Sequence, residues 1–437
     1  MVKTAIRADL LDFSADPGLG DIDSRAVRWR PDHWLLVDDN GRIADVRVEP
    51  PGEDWLRIDR SGRLLLPGFI DTHVHSAQLD VIASWGSELL DWLDTYTFPA
   101  EAAHADPAVA AAGAEAFLDA LLAHGSTAAA VFPTVHPASV DAVFDGARRR
   151  GMRLINGKVL MDRHAPPNLM DDVTQAEAQC EALIARWHGR DRLAYAVTPR
   201  FAATSSPEQL AMAGRLLARH AGLYMQTHVA ENRAEVAWIA QLFPHARSYL
   251  DVYAEHGLLT ERAVLAHGIW LDEADRAALA DAGAQIAFCP TSNLFLGSGL
   301  FGWAAAREAG VNVSLASDVG GGTSLSMLRT MAAAYQVQAL AGTRVTAWAL
   351  LHAATRGAAQ ALRLGHEMGS LEAGCMADFC LWSPAVGAVA TRRAALARTL
   401  HERIFAWLTL GDERNLVETW VGGVCRFNHG AQRDAQA

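Results

Sequence analysis

The chain has 437 residues, of which 51% are hydrophobic and 20% are charged, and its formal net charge is −12. The hydrophobic fraction supports a sizeable core, which excludes an intrinsically disordered chain. The negative charge argues against nucleic acid or an anionic membrane as the main partner, whereas a small and nearly neutral substrate is compatible with it. The length leaves room for one large domain of barrel size and a smaller one.

The N-terminus and the cysteines predict a cytoplasmic protein. The first residues lack the apolar segment of a signal peptide, and no stretch approaches the roughly 18–20 uncharged apolar residues of a membrane span. The five cysteines are odd in number and widely scattered, without a Cys-x-x-Cys pair. This usage is typical of small buried residues in a reducing compartment.

Both ends of the chain predict β-structure. Short alternating runs between residues 34 and 58 are separated by the turn-forming sequences Asp-Asp-Asn-Gly and Pro-Pro-Gly. Two more predicted strands lie at 374–382 and 416–426, and we expect no helices to alternate with them. These late strands are therefore expected to pair with residues 1–63 in one small β-sandwich domain, with a larger domain inserted between its halves.

The middle of the chain alternates predicted strands with amphipathic helices, such as the one at 107–123. The eight apolar runs lie at 64–72, 126–132, 152–160, 193–199, 222–228, 263–267, 285–289 and 311–317. Eight strands that alternate with helices predict an α/β protein with a TIM-type (β/α)8 barrel, although an open sheet fits the same pattern. The predicted domain boundaries are 1–63 and 373–437 for the β-sandwich and 64–372 for the barrel.

Polar side chains stand at the carboxyl ends of four predicted barrel strands, where barrel enzymes carry their functional residues. The first strand ends in His73 and His75, the fifth in His228, the sixth in His267, and Asp318 follows the eighth. A single such residue would be explained as a buried core histidine or a helix cap. Five of them at the same end of four strands predict a functional site instead.

Three of these histidines and the carboxylate predict a metal site. His73 and His75 are two residues apart, so their side chains share one face of a strand and can reach the same ion. The expected ligands of one Zn²⁺ ion are His73, His75, His228 and Asp318. Iron or manganese also fits this set of ligands.

The same hypothesis gives roles to the remaining polar groups. A divalent metal lowers the pKa of its bound water toward about 7, which makes hydroxide available at neutral pH. Glu231 lies three residues after His228 and would transfer protons between this water and the substrate. His267 would hydrogen-bond the nucleophile or the developing oxyanion.

Four motifs surround these residues. They are Pro-Gly-Phe-Ile-Asp-Thr-His-Val-His at 67–75, Thr-His-Val-Ala-Glu at 227–231, Ala-His-Gly at 266–268 and Ser-Asp at 317–318. Together they resemble the amidohydrolase superfamily, in its mononuclear deaminase and chlorohydrolase branch. Five further stretches resemble the guanine deaminases of this superfamily, at 80–86, 93–101, 157–163, 198–201 and 318–324. The likeness runs from about residue 64 to residue 340.

This resemblance implies hydrolytic deamination of guanine to xanthine and ammonia by a homodimer with one Zn²⁺ ion per chain. It also implies that Gln78 and Arg200 hold the purine and that Phe201 borders its ring. The implied substrate-binding residues are His75, Gln78, Arg200, Phe201, His228, Glu231 and Asp318. The implied catalytic residues are Glu231, His267 and Asp318.

Two alternatives stay open. The same fold and chemistry would also serve another amino-heterocycle, such as 8-oxoguanine, a pterin or a triazine. The second alternative is a metal-free relative that is kept as a binding or scaffold protein. Such a relative is expected to have lost some of the polar strand ends, and all of them are present here.

Other motifs receive structural explanations. The sequence Gly-Ser-Gly-Leu-Phe-Gly at 297–302 fits the G-x-G-x-x-G pattern of dinucleotide binding, but it does not directly follow a predicted strand. Residues 290–294 are expected to form a loop over the site. Lys158 is expected to be structural rather than a carboxylated lysine that bridges two metals. Trp85 and Trp92 are either a lid over an aromatic substrate or helix-core residues.

Overall fold

The computed structural model describes residues 2–85 and 89–430. The strands, in chain order, are β1 (Thr4–Phe13), β2 (Val27–Val37), β3 (Ile43–Arg47), β4 (Leu56–Pro67), β5 (Phe69–His75), β6 (Ser126–Phe132), β7 (Arg153–Asn156), β8 (Val159–Leu160), β9 (Leu193–Pro199), β10 (Tyr224–Val229), β11 (Ala263–His267), β12 (Gln285–Phe288), β13 (Asn312–Leu315), β14 (Phe379–Trp382), β15 (Leu416–Val421) and β16 (Val424–Asn428). The α-helices are α1 (Leu89–Trp92), α2 (Phe98–Ala103), α3 (Pro107–Ala123), α4 (Pro137–Arg150), α5 (Val173–Trp187), α6 (Pro207–Arg219), α7 (Arg233–Leu242), α8 (Tyr249–Glu255), α9 (Glu273–Ala282), α10 (Pro290–Phe295), α11 (Trp303–Glu308), α12 (Met327–Leu340), α13 (Ala347–Ala353), α14 (Arg356–Ala361), α15 (Ala388–Ala395) and α16 (Leu400–Leu410).

The two ends of the chain form one seven-stranded sheet in the order β16-β15-β14-β4-β1-β2-β3. Strands β1 and β4 are parallel, and the other neighbouring pairs are antiparallel. Strand β14, from the C-terminal part, pairs with residues 64–67 of β4. This pairing confirms that both ends build one β unit, while the domain boundaries given above stay a prediction.

The first barrel strand differs from the predicted one at its start. Residues 64–67 belong to β4 in the terminal sheet, so the barrel strand is β5 and begins at Phe69. Gly68 separates the two strands. The backbone passes so close to Thr127 that a Cβ at position 68 would lie 2.2 Å from the threonine Oγ1. The continuous apolar run therefore hides a change from one sheet to the other.

The expectation that no helices alternate with the late strands is wrong. Helices α15 and α16 lie between β14 and β15. In α16, Ile404, Trp407 and Leu408 are buried at the spacing of an amphipathic helix. The helix packs against α12 of the barrel, which explains why it forms next to a β unit.

Eight parallel strands form the barrel in the order β5-β6-β7-β9-β10-β11-β12-β13, with the short β8 beside β9. The first and last strands meet where the Asp318 N–H donates to the His73 carbonyl at 2.9 Å and the His75 N–H donates to the Val319 carbonyl at 2.8 Å. These contacts confirm the predicted TIM-type architecture. They also bring the end of β5 and the segment after β13 together, and both carry predicted ligands.

The predicted third strand, 152–160, is divided into β7 and β8. A Cβ at Gly157 would lie 1.8 Å from the Ala196 carbonyl oxygen, so a residue other than glycine would collide with β9. Lys158 is fully buried, and its ammonium group forms an ion pair with Asp171. This pairing agrees with the structural role expected for Lys158.

The helical predictions hold where the apolar stripe is clear. The predicted helix at 107–123 is α3, and it buries Phe117, Leu118, Leu121 and Leu122.

Among the residues described, no helix combines the length and hydropathy that crossing a bilayer requires.

Candidate metal-dependent active site

The four predicted metal ligands lie together at the carboxyl end of the barrel. His73 and His75 are in β5, His228 is in β10, and Asp318 follows β13. The Nε2 atom of His75 is 3.2 Å from Nε2 of His73 and 3.3 Å from Nε2 of His228. The Oδ1 atom of Asp318 lies 3.1 Å from His73 Nε2 and 3.3 Å from His75 Nε2.

These separations fit one ion that is held by four ligands. Ligand atoms about 2.0–2.1 Å from a tetrahedral metal are about 3.3 Å from one another. All the donor atoms of the group lie within 4.8 Å of one another. The donor set of three imidazoles and one carboxylate therefore fits a divalent transition metal such as Zn²⁺.

The surroundings shift the pKa values of three of these donors. Burial lowers the pKa of His73 to about 4 and the pKa of His228 well below its ordinary value. Burial alone would raise the pKa of Asp318, but hydrogen bonds with His73 and His75 outweigh it and hold that pKa well below its ordinary value. Near neutral pH His73 and His228 therefore present neutral imidazole nitrogens and Asp318 presents an anionic oxygen, which are the forms that bind metal ions.

Backbone contacts and backbone conformation orient several of these side chains. The Nδ1 atom of His228 is 2.7 Å from the Arg200 carbonyl oxygen, so Nε2 is the nitrogen that faces the group. Ala230, His267 and Asp318 adopt left-handed backbone conformations, with φ of 47°, 70° and 50°. Such conformations cost on the order of 1–3 kcal/mol each and persist only where the surrounding packing holds them. Their concentration at the strand ends supports a functional site there.

Glu231 and His267 lie beside the donor group, as the sequence predicts. The Oε2 atom of Glu231 is 3.5 Å from His267 Nε2, and that nitrogen is 3.8 Å from Oδ2 of Asp318. Burial raises the pKa of Glu231. Burial alone would lower the pKa of His267, but the carboxylates of Glu231 and Asp318 outweigh it and raise that pKa. A carboxyl group whose pKa is raised takes up a proton more readily than an ordinary one, which suits Glu231 to general acid and base catalysis.

Residues 290–294 form part of helix α10, so the expectation of a loop over the site is wrong. The backbone N–H of Asn293 donates to the Cys289 carbonyl, as in the first turn of a helix. The side chain of Asn293 reaches the site, because its Oδ1 lies 2.9 Å from Nδ1 of His267. This contact assigns the proton to Nδ1 of the imidazole and leaves Nε2 facing Glu231 and Asp318.

The glycine-rich loop at 297–302 also contacts the site. It follows α10 rather than a strand, which agrees with setting aside dinucleotide binding. Gly297 and Gly299 have φ of 68° and 138°, conformations that favour glycine. Between them, the Ser298 hydroxyl donates to Oε1 of Glu231 at 3.0 Å. The Trp270 indole N–H donates to the Ser298 carbonyl at 3.1 Å and holds the loop in place.

The residues expected to bind the purine line the same pocket as the donor group. The predicted site residues in its wall are His75, Gln78, Arg200, Phe201, His228, Glu231, His267 and Asp318. Trp92 is also part of this wall and is buried, whereas Trp85 is exposed. The possible lid falls partly on residues 86–88, which lie outside the described residues, and it stays a prediction.

Residues 64–425 match the Amidohydrolase family. This chain belongs to the amidohydrolase family. Its members are metal-dependent, which agrees with the group of three histidines and one aspartate at the strand ends.

Known guanine deaminases are similar to this amidohydrolase along nearly its whole length. The guanine deaminase of Escherichia coli strain K12 is 40% identical over 425 residues, which cover 96% of each chain. The solved structure of E. coli guanine deaminase has a TM-score of 0.93 and 38% identity, and the match covers 98% of this chain and 100% of that chain. A crystal structure of guanine deaminase from C. acetobutylicum with bound guanine in the active site has a TM-score of 0.88 and 26% identity, and the match covers 97% and 100%.

Sequence reasoning missed two buried carboxylates of this amidohydrolase, namely Glu235 in the wall of the pocket and Glu101 behind it. Glu101 of α2 is fully buried and accepts hydrogen bonds from the side chains of Gln78 and Arg200. It lies in the stretch at 93–101, which carries part of the resemblance to guanine deaminases, but no local pattern gives it a role. Ser298 was missed for the same reason, because its contact with Glu231 spans 67 residues of sequence.

Proposed function

We propose that this amidohydrolase is a guanine deaminase, which converts guanine and water into xanthine and ammonia. The observation that carries the proposal is a single pocket lined by metal donors and by the predicted purine-binding residues Gln78, Arg200 and Phe201. The likeness to guanine deaminases over 96% of the chain favours guanine over other amino-heterocycles.

The residues that would hold the metal are His73, His75, His228 and Asp318. We favour zinc, because three imidazole nitrogens and one carboxylate at these separations suit its tetrahedral coordination. When it is bound, the ion supplies a water whose pKa is low enough for attack at neutral pH.

Arg200 and Gln78 would orient the purine. Guanine presents O6 and N7 as acceptors, which suit the N–H donors of a guanidinium. The Gln78 amide offers both a donor and an acceptor to the edge of the ring. Phe201 borders the pocket with an apolar face. These groups would present C2, which carries the amino group, to the end of the pocket where the metal donors lie.

Glu231 would carry the protons of the reaction. As the oxygen of water bonds to C2, Glu231 takes the proton that this oxygen loses and delivers it to ring N3. A second proton from the same oxygen goes to the amine, the bond between C2 and the amine breaks, and ammonia leaves. His267 would hydrogen-bond the attacking oxygen from Nε2, a nitrogen that lies 3.5 Å from Glu231 Oε2 and 3.8 Å from Asp318 Oδ2.

The test is a substrate panel with purified, zinc-loaded protein. Release of ammonia would be measured with guanine, 8-oxoguanine, a pterin and an aminotriazine at several concentrations. We expect kcat/KM to be highest for guanine by about a hundredfold, the discrimination that a pocket with buried polar groups can provide. A higher value for another heterocycle would favour the alternative substrate, and no turnover of any compound by the loaded protein would favour a binding protein.

The homodimer and the cytoplasmic location stay predictions. Light scattering on the purified protein would measure the first, and fractionation of cells that express the chain would measure the second.

A further inference from the structure

A buried ion pair lies at the wall of the pocket, in which Arg200 lines the cavity and Glu101 lies behind it. Glu101 is fully buried, and Arg200 is 3% exposed. The Arg200 Nη1 donates to Oε1 and Oε2 of Glu101 at 2.8 and 2.7 Å. The Arg200 guanidinium also packs over the Phe98 ring, with its carbon 5.3 Å from the ring centre. The positive charge that faces the pocket is therefore balanced by one carboxylate immediately behind it.

Arg200 still has donors for a ligand. Within the described residues, its Nε and Nη2 atoms have no hydrogen-bond partner, and the side chain lines the pocket. Lys158, another buried cation of the barrel, has its own partner in Asp171. Glu101 is thus the carboxylate that compensates Arg200.

Glu101 also fixes the amide of Gln78. The Gln78 Nε2 donates to Oε1 of Glu101 at 2.9 Å, and the Gln78 Oε1 accepts from the Gly320 N–H at 3.2 Å. All three contacts to Glu101 come from N–H donors, which is the pattern that an ionised carboxylate accepts. Rotating the amide would place its oxygen against this carboxylate, so only one orientation is compatible with Glu101.

We propose that Glu101 is a positioning residue that makes the pocket selective for neutral purines over anionic ones. The inference rests on the proposed function and deepens it. Guanine is neutral, whereas its deamination product xanthine is the stronger acid and forms an anion more readily. An uncompensated Arg200 would attract that anion and retain the product. With Glu101 in place, Arg200 contributes hydrogen bonds to the purine without a net charge that favours anions.

The substitution Glu101→Gln tests this inference, because it removes the charge with little change in size. The two probes are urate, which is an anion at neutral pH, and hypoxanthine, which is a neutral purine without the oxygens on C2 and C8; each is compared between the variant and the unmodified protein. Binding of each to zinc-loaded protein would be measured by calorimetry, and the KM and kcat for guanine would be measured in parallel. We expect urate to bind about tenfold more tightly to the variant, the smallest effect of an opposite charge at close range.

Neutral purines should respond in the opposite direction. A glutamine at position 101 has one acceptor oxygen in place of the two that Gln78 and Arg200 use, so at least one of their three hydrogen bonds to this side chain is lost. We expect the KM for guanine to rise about tenfold and kcat to change much less, because a lost buried hydrogen bond has this magnitude. Hypoxanthine should bind more weakly too. A purely structural role for Glu101 would weaken the binding of all three purines together.

Two further variants complete the experiment. Glu101→Asp keeps the charge, so its ratio of urate to hypoxanthine affinity should stay close to that of the unmodified protein. Glu418→Gln is the matched control, since Glu418 is a buried carboxylate that accepts hydrogen bonds from Arg60 in the terminal sheet. It should change neither the urate affinity nor the KM for guanine.

The outcomes separate this inference from the proposed function. If Glu101→Gln weakens urate and guanine together, or changes neither, the inference is wrong while the deaminase activity of the unmodified protein stands. If the unmodified protein does not turn over guanine, the proposed function is wrong. In that case the calorimetric comparison of urate with hypoxanthine still reports whether Glu101 compensates Arg200.

Discussion

The two ends of the pocket are built from different parts of the fold. At one end, the donors His73, His75 and His228 lie on barrel strands, and Asp318 follows the last of them. At the other end, Gln78 lies in a 3₁₀ turn after β5, and Glu101 lies in the short helix α2. The hydrogen bonds of the barrel fix the first end, whereas segments between strands form the second. Different elements therefore carry the metal donors and the purine-binding groups, and the contact of the Arg200 carbonyl oxygen with His228 joins the two.

Loss of a metal donor should have the largest effect. His73→Ala removes one of four ligands from the group, so we expect bound zinc to be lost and guanine turnover to fall by about a thousandfold or more. Metal analysis and xanthine formation would measure both effects. His352→Ala is a suitable control, because it replaces a buried histidine of α13 that is outside the group. Full metal content and full turnover in His73→Ala would contradict the assignment.

Glu231→Gln should separate proton transfer from metal binding. The change removes the acid and base function but leaves the four donors intact, so we expect full zinc content and a kcat lowered by about 10²–10⁴-fold. Stopped assays of xanthine together with metal analysis would test this. A variant that turned over guanine at the normal rate would rule out the role of Glu231, whereas one that lost its zinc would make Glu231 part of the metal site.

A smaller effect is expected from Ser298→Ala. The Ser298 hydroxyl donates to Glu231 and favours its ionised form, so its loss should raise the pKa of Glu231 further. We expect kcat to fall about tenfold, and the acidic limb of the profile of kcat against pH to shift to higher pH. The KM for guanine should stay nearly constant, since Ser298 acts through Glu231. A change in KM alone would place Ser298 at the purine-binding end instead.

The smallest expected effect is on the free energy of unfolding. It concerns His352, which lies outside both the metal donors and the purine-binding groups. Burial lowers the pKa of His352 to about 4, as it does for His73. An unfolded histidine titrates near 6.5, so the unfolded state binds the extra proton between these values and stability falls as the pH falls. His352→Gln cannot take up this proton.

We therefore expect the unmodified protein to lose about 1–3 kcal/mol more unfolding free energy than His352→Gln on going from pH 7 to pH 4.5. Urea unfolding of both proteins at the two pH values would measure the difference. Equal losses would mean that burial does not keep His352 neutral. Zinc should leave the difference between the two proteins unchanged, because His352 is not one of the donors.

The metal-binding end could be predicted from sequence because its signals are local. The two histidines of β5 are separated by one residue, and each other donor lies next to an apolar run that predicts a strand. The barrel topology then brings these ends together. The position of the helix at 107–123 follows from the same kind of local pattern.

The purine-binding end could not be predicted in the same way. Glu101 meets Arg200 across 99 residues of sequence, and no spacing or motif connects the two. The change of sheet at Gly68 and the break at Gly157 depend on close contacts with other strands, which an apolar run does not reveal. Helix α16 was missed because its stripe is short and lies beside strands.

The central claim is that four side chains hold one metal ion on which guanine turnover depends. The most direct test is to measure guanine turnover by metal-depleted protein to which Zn²⁺ is returned in steps. Xanthine formation should be absent without metal, should rise in proportion to the zinc bound, and should reach its maximum at one ion per chain. Full turnover by the depleted protein, or no turnover when zinc is bound at the four donors, would contradict the account.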